Sequence, residues 1–264
     1  MNRIIVVFIV ILSLGSCTSK FQKVMKNKDT DYKIKMAEEY YKQKKYVNAQ
    51  QLFESVINFV KGTPRYEELY LMYANSYYYD KDYENAENLF KTFIEYFPNS
   101  TKTEEVEYLR AYTYFLRSPK AELDQTTTNR TIQLMQSFID AHPTSPRVKA
   151  ATETIDACRA KLELKDYKTA TLYFDLALYR AAAISYGLLS DGYPDSKDAD
   201  KYKLLTLKSY YKFAENSFVE KQKERFDKVI EEYNDFVDRF SDSPLLPEAK
   251  KIKTQTDNIL KNIK

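Results

Sequence analysis

One stretch of this chain spells out a helix-packing code residue by residue. Ala74 follows Tyr73 and precedes Tyr77, Tyr83 marks a turn, Ala86, Phe90 and Phe93 follow at helical spacing, and Pro98 closes the unit. Small residues at 74 and 86 let two paired helices cross closely, where a larger side chain would push them apart. The aromatic residues fill the groove around that crossing, and the proline stops the second helix. Such a pair cannot bury its apolar face alone, so one clear copy predicts neighbours.

The neighbours are present. Around Ala37 the same frame gives Met36, Tyr40, Tyr46, Ala49, Phe53 and Val56. Counted from Glu67, the unit takes about 34 residues and resembles the tetratricopeptide repeat, which is a binding scaffold. A closing tetrad also recurs: Phe97-Pro98-Asn99-Ser100, His142-Pro143-Thr144-Ser145, Tyr193-Pro194-Asp195-Ser196, and Phe240-Ser241-Asp242-Ser243, which lacks the proline. Each tetrad is expected to end one helix and cap the next. Thr63-Pro64, Ser145-Pro146 and Ser243-Pro244 read as an N-cap hydroxyl with proline at the first helical position.

The tetrads lie 45, 51 and 47 residues apart, so the later repeats are stretched. In the third, Ala111 and Tyr114 match the first helix, Met135, Phe138 and Pro143 the second, and Ser118 to Asn129 reads as an inserted loop. In the fourth, Ala170, Tyr173, Tyr179, Ala182, Tyr186 and Leu189 fit the frame, while apolar residues run back through Leu162, Ile155 and Val148. That pattern predicts a first helix of about 30 residues. The fifth pairs Tyr202–Ala214 with Phe226–Phe240, and a last helix from Leu245 would cap the array. The expected fold is therefore all-α: a tetratricopeptide superhelix of about five helix pairs plus a C-terminal capping helix.

The N-terminus sets the compartment. A short basic region, Met1-Asn2-Arg3, precedes the apolar run Ile4–Leu14. That run is too short to span a bilayer but suits a secretory signal. It ends in Leu14-Gly15-Ser16-Cys17, which resembles the bacterial lipobox and implies cleavage after residue 16 and acylation of Cys17. Residues 1–16 read as signal peptide, 17–31 as a lipidated tether and 32–264 as the repeat domain. Thr18-Ser19-Lys20 lacks the aspartate and the acidic run that in similar lipoproteins signal other destinations. By that resemblance the protein is anchored in the outer membrane and faces the periplasm.

The residues argue against catalysis. With Cys17 acylated, Cys158 has no partner for an intramolecular disulfide, and it falls on an apolar helix face. His142 is the only histidine and occupies the aromatic slot of a tetrad, with no evident partner in the sequence. No cluster has metal-ligand spacing, no glycine-rich loop could cradle phosphate, and no nucleophile motif occurs. The only prosthetic group expected is the lipid on Cys17. With 41 basic and 38 acidic residues, nothing points to nucleic acid.

Of the 24 tyrosines, 15 precede residue 115. Tyr40, Tyr73, Tyr77 and Tyr83 occupy packing positions of the frame. Tyr41, Asn75, Tyr78 and Tyr79 fall instead on the groove-lining face of the first helices. Amphipathic aromatics beside a side-chain amide suit an extended peptide, although a merely solvated face fits the same residues.

The architecture as a whole resembles the BamD family, lipoproteins of the outer-membrane β-barrel assembly machine. The shared features are the lipobox, five repeats, a prolonged helix in the fourth, the run Ser118-Pro119-Lys120-Ala121-Glu122-Leu123-Asp124-Gln125, and Ala157-Cys158-Arg159-Ala160-Lys161-Leu162. The resemblance implies two partners. Repeats 1–3 (32–143) would recognise unfolded outer-membrane proteins, and repeats 4–5 with the cap (144–264) would dock the barrel-forming, BamA-like core subunit. Other tetratricopeptide lipoproteins, for pilus assembly, cell-wall coordination or glycan binding, remain alternatives at the level of sequence; the glycan binders are usually larger and rich in tryptophan, which this chain lacks.

Overall fold

In the computed structural model the described residues are 19–263, and all of their regular structure is helical. Cys17 and the stretch 1–16 read as a signal peptide lie outside them. Twelve α-helices follow one another: α1 Ser19–Met25, α2 Thr30–Lys42, α3 Tyr46–Val56, α4 Tyr66–Tyr79, α5 Tyr83–Tyr96, α6 Thr103–Arg117, α7 Thr126–Ala141, α8 Val148–Asp175, α9 Tyr179–Gly192, α10 Ala199–Glu215, α11 Val219–Arg239 and α12 Leu246–Asn262. They fall into two compact units, one of residues 19–119 and 125–158, the other of residues 120–124 and 159–263.

In the first unit the paired helices are α2/α3, α4/α5 and α6/α7. Ala37, Ala49, Ala74, Ala86 and Ala111 are essentially inaccessible at the crossings, with Phe53, Phe90 and Phe93 wholly buried around them. The small-residue reading of the frame therefore holds in space. Part of the stretch read as tether is helical: α1 sends Phe21 edge-on to Tyr40, with centroids 5.8 Å apart, and buries Val24 in the first core. Three apolar side chains, Phe21, Val24 and Met25, in an otherwise polar segment suffice to dock one short helix.

Three corners between paired helices share one geometry. Lys44, Lys81 and Ala177 have φ of 59°, 68° and 57°. In each, the next amide reaches back five residues: Lys45 N to Tyr40 O, Asp82 N to Tyr77 O and Leu178 N to Tyr173 O, at 2.9–3.0 Å. This double-bonded ending satisfies carbonyls that the helix would otherwise leave open, and it asks for a left-handed residue at that point.

The closing tetrads are equally regular. Phe97, His142, Tyr193 and Phe240 have φ between −128° and −137° and ψ between 46° and 61°. The fourth matches the others without its proline, so the tetrad geometry does not depend on that residue. The start signals are displaced from expectation. Helices α4, α8 and α12 begin at Tyr66, Val148 and Leu246, three residues after Thr63, Ser145 and Ser243, and no side-chain cap forms at α4 or α12. The serine hydroxyls instead accept from the amide two residues on, Arg147 N at 3.1 Å and Leu245 N at 3.0 Å. A proline directly after them allows this tight turn but sets the helix start later.

The long helix of the fourth repeat is real, with 28 residues, and Cys158 is buried on it. The insertion is shorter than Ser118–Asn129, because α7 already starts at Thr126. Its residues 120–124 belong to the second unit, where Lys165 Nζ donates to Leu123 O at 2.6 Å and Lys168 pairs with Glu122. There α8 packs on α9 through Ala170, Ala182 and Tyr186, and Thr171 and Tyr186 share a 2.9 Å hydrogen bond between hydroxyls. Phe226, Val229 and Phe236 of α11 pack with Leu207 of α10 and Ile252 of α12 in a second core.

Candidate functional site

The first helices of the first unit repeat one surface position. Four residues after each crossing alanine stand Tyr41, Tyr78 and Phe115. One residue after it stand Glu38, Asn75 and Tyr112. This is the face on which the peptide residues were expected.

Tyr41 and Tyr79 do come together, and Tyr46 joins them. Tyr46 and Tyr79 stack at 5.4 Å, while Tyr41 meets Tyr46 edge-on at 5.7 Å and lies 6.3 Å from Tyr79. Tyr79 is 51% exposed, so the cluster has one open side. Burial, reinforced by the Tyr79 and Tyr46 phenols, pushes the Tyr41 hydroxyl up to about 12, and a hydrogen bond with Asn75 pulls the other way. The Asn75 amide thus meets Tyr41, but its Oδ1 is buried and accepts nothing among the described residues. An orphaned buried acceptor costs about 1–3 kcal/mol.

Tyr78 is different. It is half-buried against Tyr83 at 5.9 Å and Phe90 at 6.0 Å, with Tyr79 at 5.5 Å. Burial, with the Tyr112 phenol next in effect, pushes its hydroxyl up to about 12. It belongs as much to the helix-pair packing as to the groove face. Sequence reasoning missed Tyr46 as a surface member, because the frame assigns that position to packing. It also missed Tyr112 and Phe115, which form a stack with Tyr108: Tyr112 lies 5.8 Å from Tyr108 and 5.4 Å from Phe115. Carrying the Tyr41 and Asn75 positions forward to Ala111 would have found both.

His142 has a partner after all: its Nε2 lies 2.6 Å from Glu107 Oε2, and its ring packs on Phe138 at 5.2 Å. Glu107, 35 residues upstream, is invisible to local spacing. A cleft of about 270 Å³ opens beside this pair, lined by Ile94, Arg110, Leu134 and Phe138.

In the second unit a shallower cleft of about 470 Å³ runs between α9, α10 and α11. Ile184 and Leu188 stand exposed on its α9 wall. Lys203 is buried at its floor, held by Glu232 at 2.6 Å and by Asp235. Among the described residues no group of three or more His, Cys, Asp or Glu side chains is placed to hold a metal. No described helix is long and apolar enough to cross a membrane.

Stacked helix pairs with an amphipathic aromatic face define a tetratricopeptide-repeat protein. The sequence profile of the YfiO outer membrane lipoproteins matches residues 26–226, and the chain belongs to that family, the BamD family. No curated protein matches the chain by sequence. Among solved structures, the TPR2AB domain of yeast Sti1 in its pHSP90 complex is similar at 11% identity, with a TM-score of 0.39 over 86% of this chain and 98% of that one. A kinesin light chain of Podosopora anserina with nearly identical TPR-like repeats is similar at 10% identity, with a TM-score of 0.34 over 86% and 95%.

Proposed function

We propose that the chain is a non-enzymatic scaffold of the outer-membrane β-barrel assembly machine, anchored by a lipid on Cys17 and facing the periplasm. Its first unit would hold an extended segment of an unfolded outer-membrane protein, and its second would dock the barrel-forming, BamA-like core subunit. Membership of an outer membrane lipoprotein family and the repeat architecture support this reading. The observation that carries the substrate half is the Tyr41–Tyr46–Tyr79 cluster over the orphaned Asn75 Oδ1. Tyrosine rings offer apolar area at low entropic cost, and the orphaned acceptor beside them suits a peptide N–H. The scaffold is held rigid by its own core, so binding need not order the receptor.

Tyr46→Ala with Tyr79→Ala tests this more cleanly than a change at Tyr78, whose ring also packs the helix pair. Fluorescence anisotropy with peptides from outer-membrane protein C-termini should show roughly 30-fold weaker binding, as loss of a true hot spot of ~2 kcal/mol predicts. Co-purification of the core subunit should survive. Unchanged peptide affinity would sink the substrate half. For the anchor, mass spectrometry should find the mature N-terminus acylated at Cys17, and Cys17→Ser should leave an uncleaved or mislocalised precursor; cleavage elsewhere would sink it.

A further inference from the structure

The first described helix and one corner of the first unit meet on a single basic surface. Phe21 of α1 packs edge-on to Tyr40, near the far end of α2, so the two helices form an antiparallel hairpin around the turn at 26–29. The first turn of α1 therefore lies beside the α2/α3 corner, Lys42-Gln43-Lys44-Lys45. That corner closes on the same tyrosine: Lys45 N donates to Tyr40 O at 2.9 Å, and Lys45 Nζ sits 5.8 Å from the Tyr40 ring centre. Cys17 precedes α1 by two residues, a reach of at most about 7 Å. The stretch read as a tether is thus folded back on the first repeat, and it holds residue 17 at this end of the unit.

Charge is concentrated here. Residues 18–45 hold nine lysines and four carboxylates, a net +5 in a chain whose total is +3. Five of those lysines, Lys20, Lys23, Lys42, Lys44 and Lys45, stand exposed around the corner, and none makes an ion pair among the described residues. Of the four carboxylates only Glu39 shares this end of α2, where it accepts from Gln43 Nε2 at 3.0 Å. Glu38 is paired with Arg65, while Asp29 and Asp31 stand at the opposite end of α2, about 16 Å along its axis. The neighbouring α4/α5 corner, reached through the Tyr46–Tyr79 stack, adds Asp80, Lys81 and Asp82. Six lysines then face three carboxylates, and Glu84, next along, lies opposite Arg117.

The position of residue 17 decides the occupant. An acyl chain on Cys17 would draw this end of the unit against the bilayer, and lysines close to an anionic leaflet add an attraction that a neutral surface lacks. Val47, 48% exposed in the first turn of α3, leans out of the corner, because helical side chains tilt toward the N-terminus. We propose that the surface built from Lys20, Lys23 and the Lys42–Lys45 corner seats on anionic phospholipid, with the lysines at headgroup phosphates and Val47 at the interface. The seat fixes which end of the first unit meets the membrane, which an acyl chain on a free tether would not do. It rests on the reading of Cys17 as the anchor and is independent of the substrate and subunit roles proposed above.

The chain from residue 17 with Cys17→Ser keeps every described residue and carries no acyl group. At low ionic strength it should float with vesicles of equimolar phosphatidylcholine and phosphatidylglycerol, and stay behind with phosphatidylcholine alone. Replacing the five corner lysines with glutamine should weaken vesicle binding by roughly tenfold or more. Replacing five exposed lysines elsewhere, Lys149, Lys221, Lys223, Lys250 and Lys251, removes the same charge and should leave binding nearly unchanged. The chain contains no tryptophan, so Val47→Trp creates a single reporter, which acyl-chain-brominated lipid should quench. Phe59→Trp, at a position 75% exposed beyond the far end of α3, should stay solvent-like. Equal losses in the two lysine variants would reduce the binding to net charge and overturn the seat. So would failure to float, or quenching of Phe59→Trp in place of Val47→Trp. No acyl group takes part, so these outcomes read the seat alone, while the mass spectrum of the mature N-terminus reads the anchor.

Discussion

The hydroxyl of Ser100 donates a 2.5 Å hydrogen bond to Glu67 Oε1, joining the closing tetrad of a repeat to the first turn of that repeat's own first helix. A like bond recurs from Ser145 to Glu104 at 2.5 Å and Ser243 to Asp200 at 2.6 Å, and from Ser196 to Glu163, midway along the extended α8, at 2.5 Å. In every case the serine oxygen also accepts the amide two residues on, at 3.0–3.2 Å. One hydroxyl thus ties three pieces of chain together, and the partner carboxylate sits 33 to 43 residues away.

A hydrogen bond to a charged group contributes about 1.5–3 kcal/mol, less where water competes. Ser100→Ala should therefore cost about 1–2 kcal/mol in chemical denaturation. Glu67→Gln should cost less, and the double variant should fall short of the sum because the two side chains share one interaction. Strict additivity would show that the bond contributes nothing in solution.

The crossing alanines make the opposite kind of prediction, through volume. Ala74 and Ala86 have no accessible surface. Ala74→Leu should overpack the α4/α5 pair and cost about 1–3 kcal/mol. A variant as stable as the parent would mean that these helices do not cross at that point.

Ala177 holds a left-handed conformation with φ of 57°. A side chain there costs about 1–2 kcal/mol relative to glycine, offset in part by the extra freedom glycine gives the unfolded chain. Ala177→Gly should gain up to ~1 kcal/mol, whereas Ala177→Val should lose stability. A raised melting temperature for the valine variant would contradict the corner geometry.

The tyrosines predict alkaline instability. Burial is the leading cause of the upward shifts at Tyr41, Tyr70 and Tyr78, each pushed up to about 12, and it raises Tyr73 as well. A phenol whose folded value is raised above 10 adds stability that is fully present below pH 10. That stability is lost as pH climbs toward 12 and the unfolded chain ionises first. Denaturant midpoints should be flat in this respect up to about pH 10 and fall beyond it, with phenolate absorbance rising together with loss of helix. Gradual, independent titration of all the tyrosines near 10 would refute it.

What was legible in the sequence was what rests on local spacing. Ala74, Ala86, Phe90 and Phe93 lie within two helices, and their periodicity alone fixes which side faces inward. The long α8 was legible because nothing between residues 147 and 175 could break it. The Ser100–Glu67 and His142–Glu107 bonds were not, because each spans more than thirty residues and local periodicity does not fix such a pairing. At the candidate site, Tyr41, Asn75 and Tyr79 could be assigned to one face from the frame. The frame could not tell that the Tyr78 ring leans into Tyr83 and Phe90 while Tyr46 leans out to stack on Tyr79. Side-chain direction at the edge of a helix pair depends on which neighbours leave room, and that is a tertiary property.

The closing tetrads carry an implication for how such a chain can change. Their backbone angles and their serine bond are nearly constant, although the stretches between them differ in length and one lacks proline. Residues can be added between these joints, as in the insertion after Arg117 or the extra turns of α8, while the way the chain leaves each joint stays the same. A lineage could therefore lengthen one repeat to fit a new neighbour without retuning the others, provided the serine and its distant carboxylate are inherited together.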